Sequence, residues 1–349
     1  MKWWKTAAGA ALSVLLVGGA LAGCGEKKEE LNIYSWADNF DEQVLKDFEK
    51  QNNVKINYSV FANNEELLAK LQAGGTSYDV IQPSDYMVQT MKKLDLLAPL
   101  EKQNMPNLEN IQPDFKTPPF DPEGKYSVVY TWGVTGIAYN KKYVKEAPTS
   151  WSDLWKPEYK GRVILLDDQR EVLGMALKKN GFSNNSVSKP ELETAYKDLQ
   201  KLVPNVLAFN TDDIKQKFIA EEAWIGTVWS GDASYIAKDN PDVGYVVPKE
   251  GSTIWADTLA IPKNAKHKKL AEKFINYLLD PKVSAKNYES IGYSDPNEKA
   301  LPLHSEKYRS DKAIFLSKEE LGRTEWVQDI GKDTTTYDEY WTKLKTDQK

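Results

Sequence analysis

Apolar and polar positions in the first third of the chain alternate between strand-like and helix-like spacing. Residues 31–36 form an apolar run typical of a strand, and Val44, Leu45 and Phe48 then recur at helical spacing. The alternation continues through predicted strand and helix pairs at residues 54–61 with 64–73, and 78–82 with 84–94. Strand following helix in this way predicts an α/β domain with a mainly parallel sheet.

A second series begins near Gly136, after a Pro- and Gly-rich surface connection at residues 106–124. We predict further strands at residues 163–166, 224–229, 243–247 and 259–262, and further helices at residues 171–179, 191–202, 268–279 and 337–344. Two α/β units in one chain are expected to form a cleft between them. In open α/β sheets, ligands bind beyond the carboxyl ends of the strands.

The N-terminus has the pattern of an export signal. Lys2 and Lys5 precede a 16-residue apolar stretch at residues 7–22, which is shorter than the about 20 apolar residues of a membrane span. Cys24, the only cysteine, follows Leu-Ala-Gly, and this order resembles the bacterial lipoprotein cleavage box. The resemblance implies a signal peptide at residues 1–23, lipidation of Cys24 and a flexible tether at residues 24–30. The alternative is an ordinary secretory signal with an incidental cysteine.

Length and charge narrow the possible classes of protein. Removing 23 residues from the 349 leaves 326, more than the roughly 250–300 that a single core usually supports, so we expect two domains. The net charge of −5 becomes −7, because the removed segment carries two lysines and no acid. An acidic chain is a poor nucleic-acid binder and a plausible host for cations. We therefore predict no nucleic-acid partner.

Acidic and aromatic residues collect where the predicted strands end. Trp36 and Asp38 follow the first strand, while Trp255 and Asp257 are two apart and thus share one face of a strand. The other strand-end candidates are Ser84, Tyr86, Asp168, Glu171 and Trp229. Carboxylates give ammonium groups charge-assisted hydrogen bonds, and tryptophan faces attract cations. Four acids indicate an organic ligand with several positive charges, and polyamines have the complementary pattern of cations separated by methylenes.

Each of these features also has a structural interpretation. Asp168 and Glu171 fit a helix capping box, and Arg170 between them could pair with either acid. Trp36 and Asp38 fit a core residue followed by a loop. We interpret the remaining tryptophans of the middle region as packing residues: Trp132, Trp151 and Trp155.

The chain resembles the spermidine/putrescine-binding proteins of bacterial ABC importers from Leu31 to its end. The segments that carry the resemblance are Asn32-Ile-Tyr-Ser-Trp36, Tyr78-Asp-Val-Ile-Gln-Pro-Ser84, Thr131-Trp-Gly-Val-Thr-Gly-Ile137, Ser150-Trp-Ser-Asp-Leu-Trp-Lys-Pro-Glu-Tyr-Lys-Gly161, Asp167-Asp-Gln-Arg-Glu-Val172, Trp255-Ala-Asp257 and Ile291-Gly-Tyr293. The resemblance implies an α/β, two-lobed type II periplasmic binding protein fold with a ligand cleft and a hinge. It implies one lobe from residues 31–133 plus 259–304 and another from 134–258 plus 305–349.

The same resemblance implies which residues line a polyamine site. They are Trp36, Asp38, Ser84, Tyr86, Asp168, Glu171, Trp229, Trp255, Asp257 and Tyr293. Two positions depart from the spermidine-binding pattern. Asn39 stands where the family has an aromatic residue, with Phe40 adjacent, and Val327 stands where it has a glutamine, with Gln328 adjacent. Asp38 also replaces a longer acid, so the choice between spermidine and putrescine stays open.

These observations predict a monomer, lipid-anchored outside the membrane, that captures a polyamine and delivers it to an ABC permease. No cofactor, metal or catalytic residue is expected. A binding protein for another organic cation, such as a betaine or thiamine, is the main alternative. An exported hydrolase that uses paired carboxylates is a remote one, since the chain has no G-x-S-x-G, H-E-x-x-H or P-loop motif.

Overall fold

A computed structural model describes residues 28–61, 63–74 and 77–347. The predicted signal peptide and Cys24 lie outside the described residues. The described chain forms ten strands: β1 (Glu29–Ser35), β2 (Val54–Val60), β3 (Val80–Ile81), β4 (Ser127–Asn140), β5 (Val163–Leu165), β6 (Val206–Phe209), β7 (Ile225–Trp229), β8 (Val243–Val246), β9 (Ser252–Ala260) and β10 (Thr324–Trp326).

Thirteen α-helices connect or flank these strands in the described chain. They are α1 (Glu42–Asn52), α2 (Asn64–Ala73), α3 (Asp85–Lys93), α4 (Pro113–Lys116), α5 (Gln169–Lys179), α6 (Lys189–Leu202), α7 (Ile214–Ile219), α8 (Ser230–Asp239), α9 (Lys268–Leu278), α10 (Pro281–Ile291), α11 (Glu306–Arg309), α12 (Lys318–Leu321) and α13 (Thr334–Asp347). Across the described residues, no helix combines the length and apolar character that a membrane crossing requires.

Local sequence signals set the helix ends. Asp41 caps α1 by accepting a 3.0 Å hydrogen bond from the Val44 backbone N–H. Asn53 ends the same helix at φ +52°, in the left-handed region that asparagine tolerates. Asp280 caps α10, whose first residue is Pro281, and Gly292 ends it at φ +79°.

The sheet is mixed, in contrast to the mainly parallel sheet that we predicted. Its strand order is β2-β1-β3-β9-β4-β7-β5-β6, with β10 beside β9 and β8 beside β4. Successive strand–helix units pair in parallel, as β1 does with β2 and β3, and β5 with β6 and β7. The antiparallel pairs all involve β4 or β9, which run between these units.

The two strands β4 and β9 join the halves of the molecule. The first part of β4 pairs with β9 from Ser127 to Val134, and the rest pairs with β7 and β8. All 14 residues of β4 are buried. The sequence analysis placed residues 255–257 and 259–262 in strands, and both fall in or beside β9, but it missed β4, because a strand buried on both faces shows no alternation.

Buried side chains form three apolar clusters. One gathers residues from 31 to 134 with others from 247 to 314, and two smaller clusters gather mainly residues from 137 to 243. The first cluster also takes in Ile254, Ala256, Tyr308 and Ile314, which lie beyond the lobe boundaries expected from the resemblance. Those boundaries stay a prediction.

One predicted segment is corrected at its end. Glu29 and Glu30 belong to β1, where they pair with Val54 and Lys55, rather than to a flexible tether over residues 24–30. The acidic side chains of Glu29 and Glu30 suggested a polar linker. At the start of β1, however, these residues pair only with β2, so their charged side chains are tolerated there.

Candidate functional site

Asp257 lies at the centre of the site. Its carboxylate accepts a 2.7 Å hydrogen bond from the Ser84 hydroxyl and a 3.3 Å bond from the Thr131 hydroxyl. The fold creates both contacts, because Ser84 bridges to Asp257 just before α3 and Thr131 is its register partner on β4. Burial raises the pKa of Asp257 to about 6, although the hydrogen-bond donors oppose that rise.

Three aromatic side chains form a row beside this carboxylate. The Trp229 and Trp255 ring centroids are 6.2 Å apart, and those of Trp255 and Tyr293 are 5.8 Å apart, both pairs in edge-to-face orientation. Two glycines leave room for the rings. A Cβ at Gly133 would lie 2.6 Å from the Trp255 ring, and one at Gly231 would lie 2.2 Å from the Tyr293 ring.

Asp168 and Glu171 lie at the start of α5, but only Asp168 caps it. One Asp168 oxygen accepts the backbone N–H groups of Arg170 at 2.7 Å and Glu171 at 3.1 Å. The Glu171 carboxylate instead accepts a 3.4 Å bond from the Trp229 indole N–H. Its other oxygen is buried and makes no hydrogen bond of normal geometry in the described chain, although the Thr135 hydroxyl is close enough to favour the ionised form.

The charges of these two acids are strongly disfavoured in the absence of a cation. Glu171 is only 8% exposed. Its burial and the neighbouring Asp168 raise the pKa of Glu171 to about 8, and burial also raises the pKa of Asp168. A cation placed here would relieve both effects.

Tyr86 connects these acids to α3. Its hydroxyl donates a 3.2 Å hydrogen bond to Glu65 at the start of α2. Burial raises the pKa of Tyr86 well above its usual range, and the charges of Glu65 and Asp168 raise it further. Tyr86 and Asp168 therefore influence each other electrostatically, although Tyr86 lies in α3 and Asp168 directly before α5.

Trp36 and Asp38 directly follow β1 and affect two residues of the site, Asp257 and Tyr293. Trp36 packs on Phe61 with ring centroids 4.5 Å apart, and its buried indole N–H has no hydrogen-bond partner in the described chain. That N–H nevertheless lies close enough to Asp257 to favour its ionised form. Asp38 is exposed at φ +56°, and its charge contributes to the raised pKa of Tyr293. Hydrogen bonds, ring contacts and electrostatic effects thus link the ten predicted residues, and their contact with a ligand stays a prediction.

Arg170 pairs with neither neighbouring acid, so that alternative is wrong. Its guanidinium donates to the Gln328 carbonyl at 3.0 Å and to the Asn185 side chain at 2.8 Å, and it lies 5.2 Å over the Tyr337 ring. Arg170 therefore forms no ion pair with Asp168 or Glu171, and its charge offsets the rise in their pKa only in part.

The residues at the two departures from the family pattern have the following surroundings. Asn39 is buried and is used internally, with its amide donating to the Ala37 carbonyl and its oxygen accepting from Gln82. Phe40 stacks on Tyr130 in the core. Val327 is buried, whereas Gln328 is exposed.

Three acids near the site were missed by the sequence reasoning. Asp232 on α8 accepts a 3.4 Å hydrogen bond from the Tyr293 hydroxyl, and Lys215 lies 3.7 Å from the same carboxylate. Its position just after β7 was a usable signal. The sequence contains no comparable signal for Glu65 or for the buried Asp85, because each lies in the first turn of a helix, where acids are common.

The site thus offers buried carboxylates at several points along a row of aromatic rings. The described residues contain no group of three or more side chains able to hold a metal ion. Together with two α/β halves joined by long strands, this arrangement defines a two-lobed binding protein whose site suits an organic cation.

Comparison with known proteins places the chain within this class. Residues 43–315 match the model of the bacterial extracellular solute-binding protein family. The chain is 40% identical to the spermidine/putrescine-binding periplasmic protein of Escherichia coli over 95% of this chain and 97% of that protein. It is 32% identical to that organism's putrescine-binding periplasmic protein PotF, over 99% of this chain and 98% of that protein.

Solved structures agree with this placement. The spermidine/putrescine ABC transporter substrate-binding protein PotD of Streptococcus pneumoniae superimposes with a TM-score of 0.83 at 39% identity, over 92% of this chain and 100% of that one. The Tp0655 (TpPotD) lipoprotein of Treponema pallidum superimposes with a TM-score of 0.83 at 28% identity, over 90% of this chain and 99% of that one. The chain belongs to the bacterial extracellular solute-binding proteins. The resemblance to spermidine/putrescine-binding proteins and the two-lobed α/β fold are confirmed.

Replacing Glu171 by glutamine should stabilise the ligand-free protein in a pH-dependent way. The folded pKa is about 8 against an ordinary value of 4.5, so the folded state binds this proton more tightly than the unfolded chain does. Wild-type protein therefore loses stability as pH rises from about 4.5 to about 8. We expect Glu171→Gln to gain more than about 1 kcal/mol of unfolding free energy at pH 8 relative to pH 5, since one pKa unit is worth about 1.4 kcal/mol.

Urea unfolding of both proteins at the two pH values measures this difference. Glu193→Gln, which removes an exposed acid on α6, serves as the control and should show little change. An equal effect of Glu171→Gln at pH 5 and pH 8 would contradict the raised pKa.

Proposed function

We propose that this protein captures a polyamine, spermidine or putrescine, outside the cytoplasmic membrane and delivers it to an ABC permease. One observation carries the proposal: Glu171 is almost fully buried, with one oxygen that makes no hydrogen bond of normal geometry, and Arg170 beside it is held elsewhere. The names of the similar proteins, which bind spermidine and putrescine, support the same ligand class.

The spacing of charges favours a polyamine over a single organic cation. Glu171, with Asp168 next to it in the fold, accepts from the Trp229 indole at one end of the row, the charge of Asp38 acts on Tyr293 at the other, and Asp257 accepts from Ser84. A betaine or thiamine would neutralise only part of this set and leave buried carboxylates unpaired, at considerable cost. An extended chain of amines and methylenes places an ammonium at each acid and its apolar spacers against the tryptophans.

Binding without chemical change fits the surroundings of the acids. Asp168 caps α5, and Asp257 is held by two hydroxyl groups, so each carboxylate is fixed as a counter-charge. We propose that lobes at residues 31–133 plus 259–304 and at 134–258 plus 305–349 close over the ligand by a hinge in the connecting strands. The protein acts as a monomer and not as an enzyme in this scheme.

We further propose that a lipid on Cys24 anchors the protein to the outer face of the membrane. The support is the Leu-Ala-Gly-Cys order after a short apolar stretch. A lipoprotein among the similar structures is compatible with it.

Calorimetry of the chain without residues 1–23 should detect tight binding of spermidine or putrescine, and competition between them would rank the two ligands. We expect Asp257→Asn to weaken that binding at least about thirtyfold, because removing one partner of a desolvated charge pair costs about 2–5 kcal/mol. Asp95→Asn, which changes an exposed acid paired with Lys263, is the matched control and should bind as wild type does.

Two outcomes would count against the proposal. Indifference of the wild-type protein to both polyamines would refute the ligand class. Wild-type affinity in Asp257→Asn would remove Asp257 from the site.

Cys24→Ser should release the protein from membranes, because serine has no thiol to carry the lipid. Fractionation of cells that express the wild-type or variant chain, followed by immunoblotting, measures the distribution. A variant that stays in the membrane fraction would disprove the lipid anchor at this residue.

A further inference from the structure

Asp85, the first residue of α3, is a buried acid between two residues of the site. Its side chain is 1% exposed, whereas its neighbours Ser84 and Tyr86 are half-buried. One carboxylate oxygen accepts a 2.7 Å hydrogen bond from the Tyr86 backbone N–H. The other accepts a 3.3 Å bond from the backbone N–H of Ala256 on β9.

The partner strand has the same alternation. Ala256 is fully buried, while Trp255 and Asp257 on either side are half-buried and line the site. Asp85 lies between the site residues Ser84 and Tyr86, and Ala256 lies between the site residues Trp255 and Asp257. The hydrogen bond from Ala256 to Asp85 therefore links these two segments. The Thr258 N–H also donates to the Pro83 carbonyl at 2.9 Å, so the link is one of several between these two segments.

A carboxylate is an expensive group for this position. Burial, together with the nearby charge of Asp257, raises the pKa of Asp85 well above the usual range, and the charge of Arg170 offsets this only in part. An apolar residue of similar size would pack there at lower cost. Unlike an apolar residue, the carboxylate accepts hydrogen bonds from the backbone N–H groups of Tyr86 and Ala256.

We propose that Asp85 is a positioning residue, which fixes the distance between Ser84 and Tyr86 on α3 and Trp255 and Asp257 on β9 and so sets the affinity for the ligand. This inference rests on the proposed polyamine function for its main readout. Asp85 itself does not contact the ligand in this scheme. Its effect passes through the Ser84–Asp257 hydrogen bond.

The test compares Asp85→Asn with a matched control, Asp79→Asn. Asp79 is also fully buried, and it also accepts two backbone N–H groups, from Asn32 at 3.0 Å and from His267 at 2.9 Å. In each variant the new amide keeps one acceptor oxygen and turns an N–H group toward the other donor. Both substitutions should therefore lower the midpoint of urea unfolding.

Only Asp85→Asn should change binding. By calorimetry on fully folded protein, we expect its dissociation constant for spermidine to rise about tenfold, the effect of one lost hydrogen bond within the site, while Asp79→Asn stays within about twofold of wild type. Unchanged affinity in Asp85→Asn, or an equal loss in both variants, would overturn the proposal.

Amide hydrogen exchange gives a readout that needs no ligand. Asp85→Ala should accelerate exchange at residues 84–86 and at residues 254–258 together, and leave residues 78–81 protected as in wild type. If the wild-type protein fails to bind spermidine, the proposed function fails while this measurement still tests the link. If exchange at residues 254–258 is unchanged, the positioning role fails whatever the ligand is.

Discussion

The pairing of β4 with β9 is the interaction on which the rest of the molecule depends. It carries the chain between the two halves and sets Asp257 opposite Thr131 and Trp255 opposite Gly133. Because Gly133 has no side chain, the Trp255 ring can lie over β4. A shift of one residue in this register would turn Trp255 and Asp257 to the opposite face and separate them from Ser84. The same ladder thus shapes both the fold and the site.

Burial of carboxylates without a cation is the electrostatic consequence of that architecture. Asp257 and Glu171 have pKa values raised to about 6 and about 8, both chiefly by desolvation. Arg170 is the nearest available basic residue in sequence, yet its guanidinium is engaged by Gln328, Asn185 and the Tyr337 ring. The free protein therefore carries an unfavourable charge arrangement that a polycation corrects, which links ligand binding to proton release.

Much of this could be predicted from the sequence, and the failures have physical causes. The amphipathic helices and their caps were predictable because period and cap chemistry are local, as at Asp168 before α5. The strand β4 was missed since it is buried on both faces, and the mixed sheet because strand pairing is a long-range property. Strand ends pointed to Trp36 and Asp257, which the structure brings together, but nothing local showed that Arg170 would bond elsewhere than to Glu171 or that Asp85 would reach β9.

The central claim is that a polycation ionises the Glu171 carboxyl group, which the empty site keeps mostly protonated at pH 7. Calorimetric titration of the chain without residues 1–23 with spermidine at pH 7, repeated in buffers of different ionisation enthalpy, counts the protons exchanged on binding. Because the pKa of Glu171 is about 8 in the empty site, binding should release protons to the buffer, and Glu171→Gln should release fewer. Binding with no dependence on the buffer, or with net uptake of protons, would contradict this account.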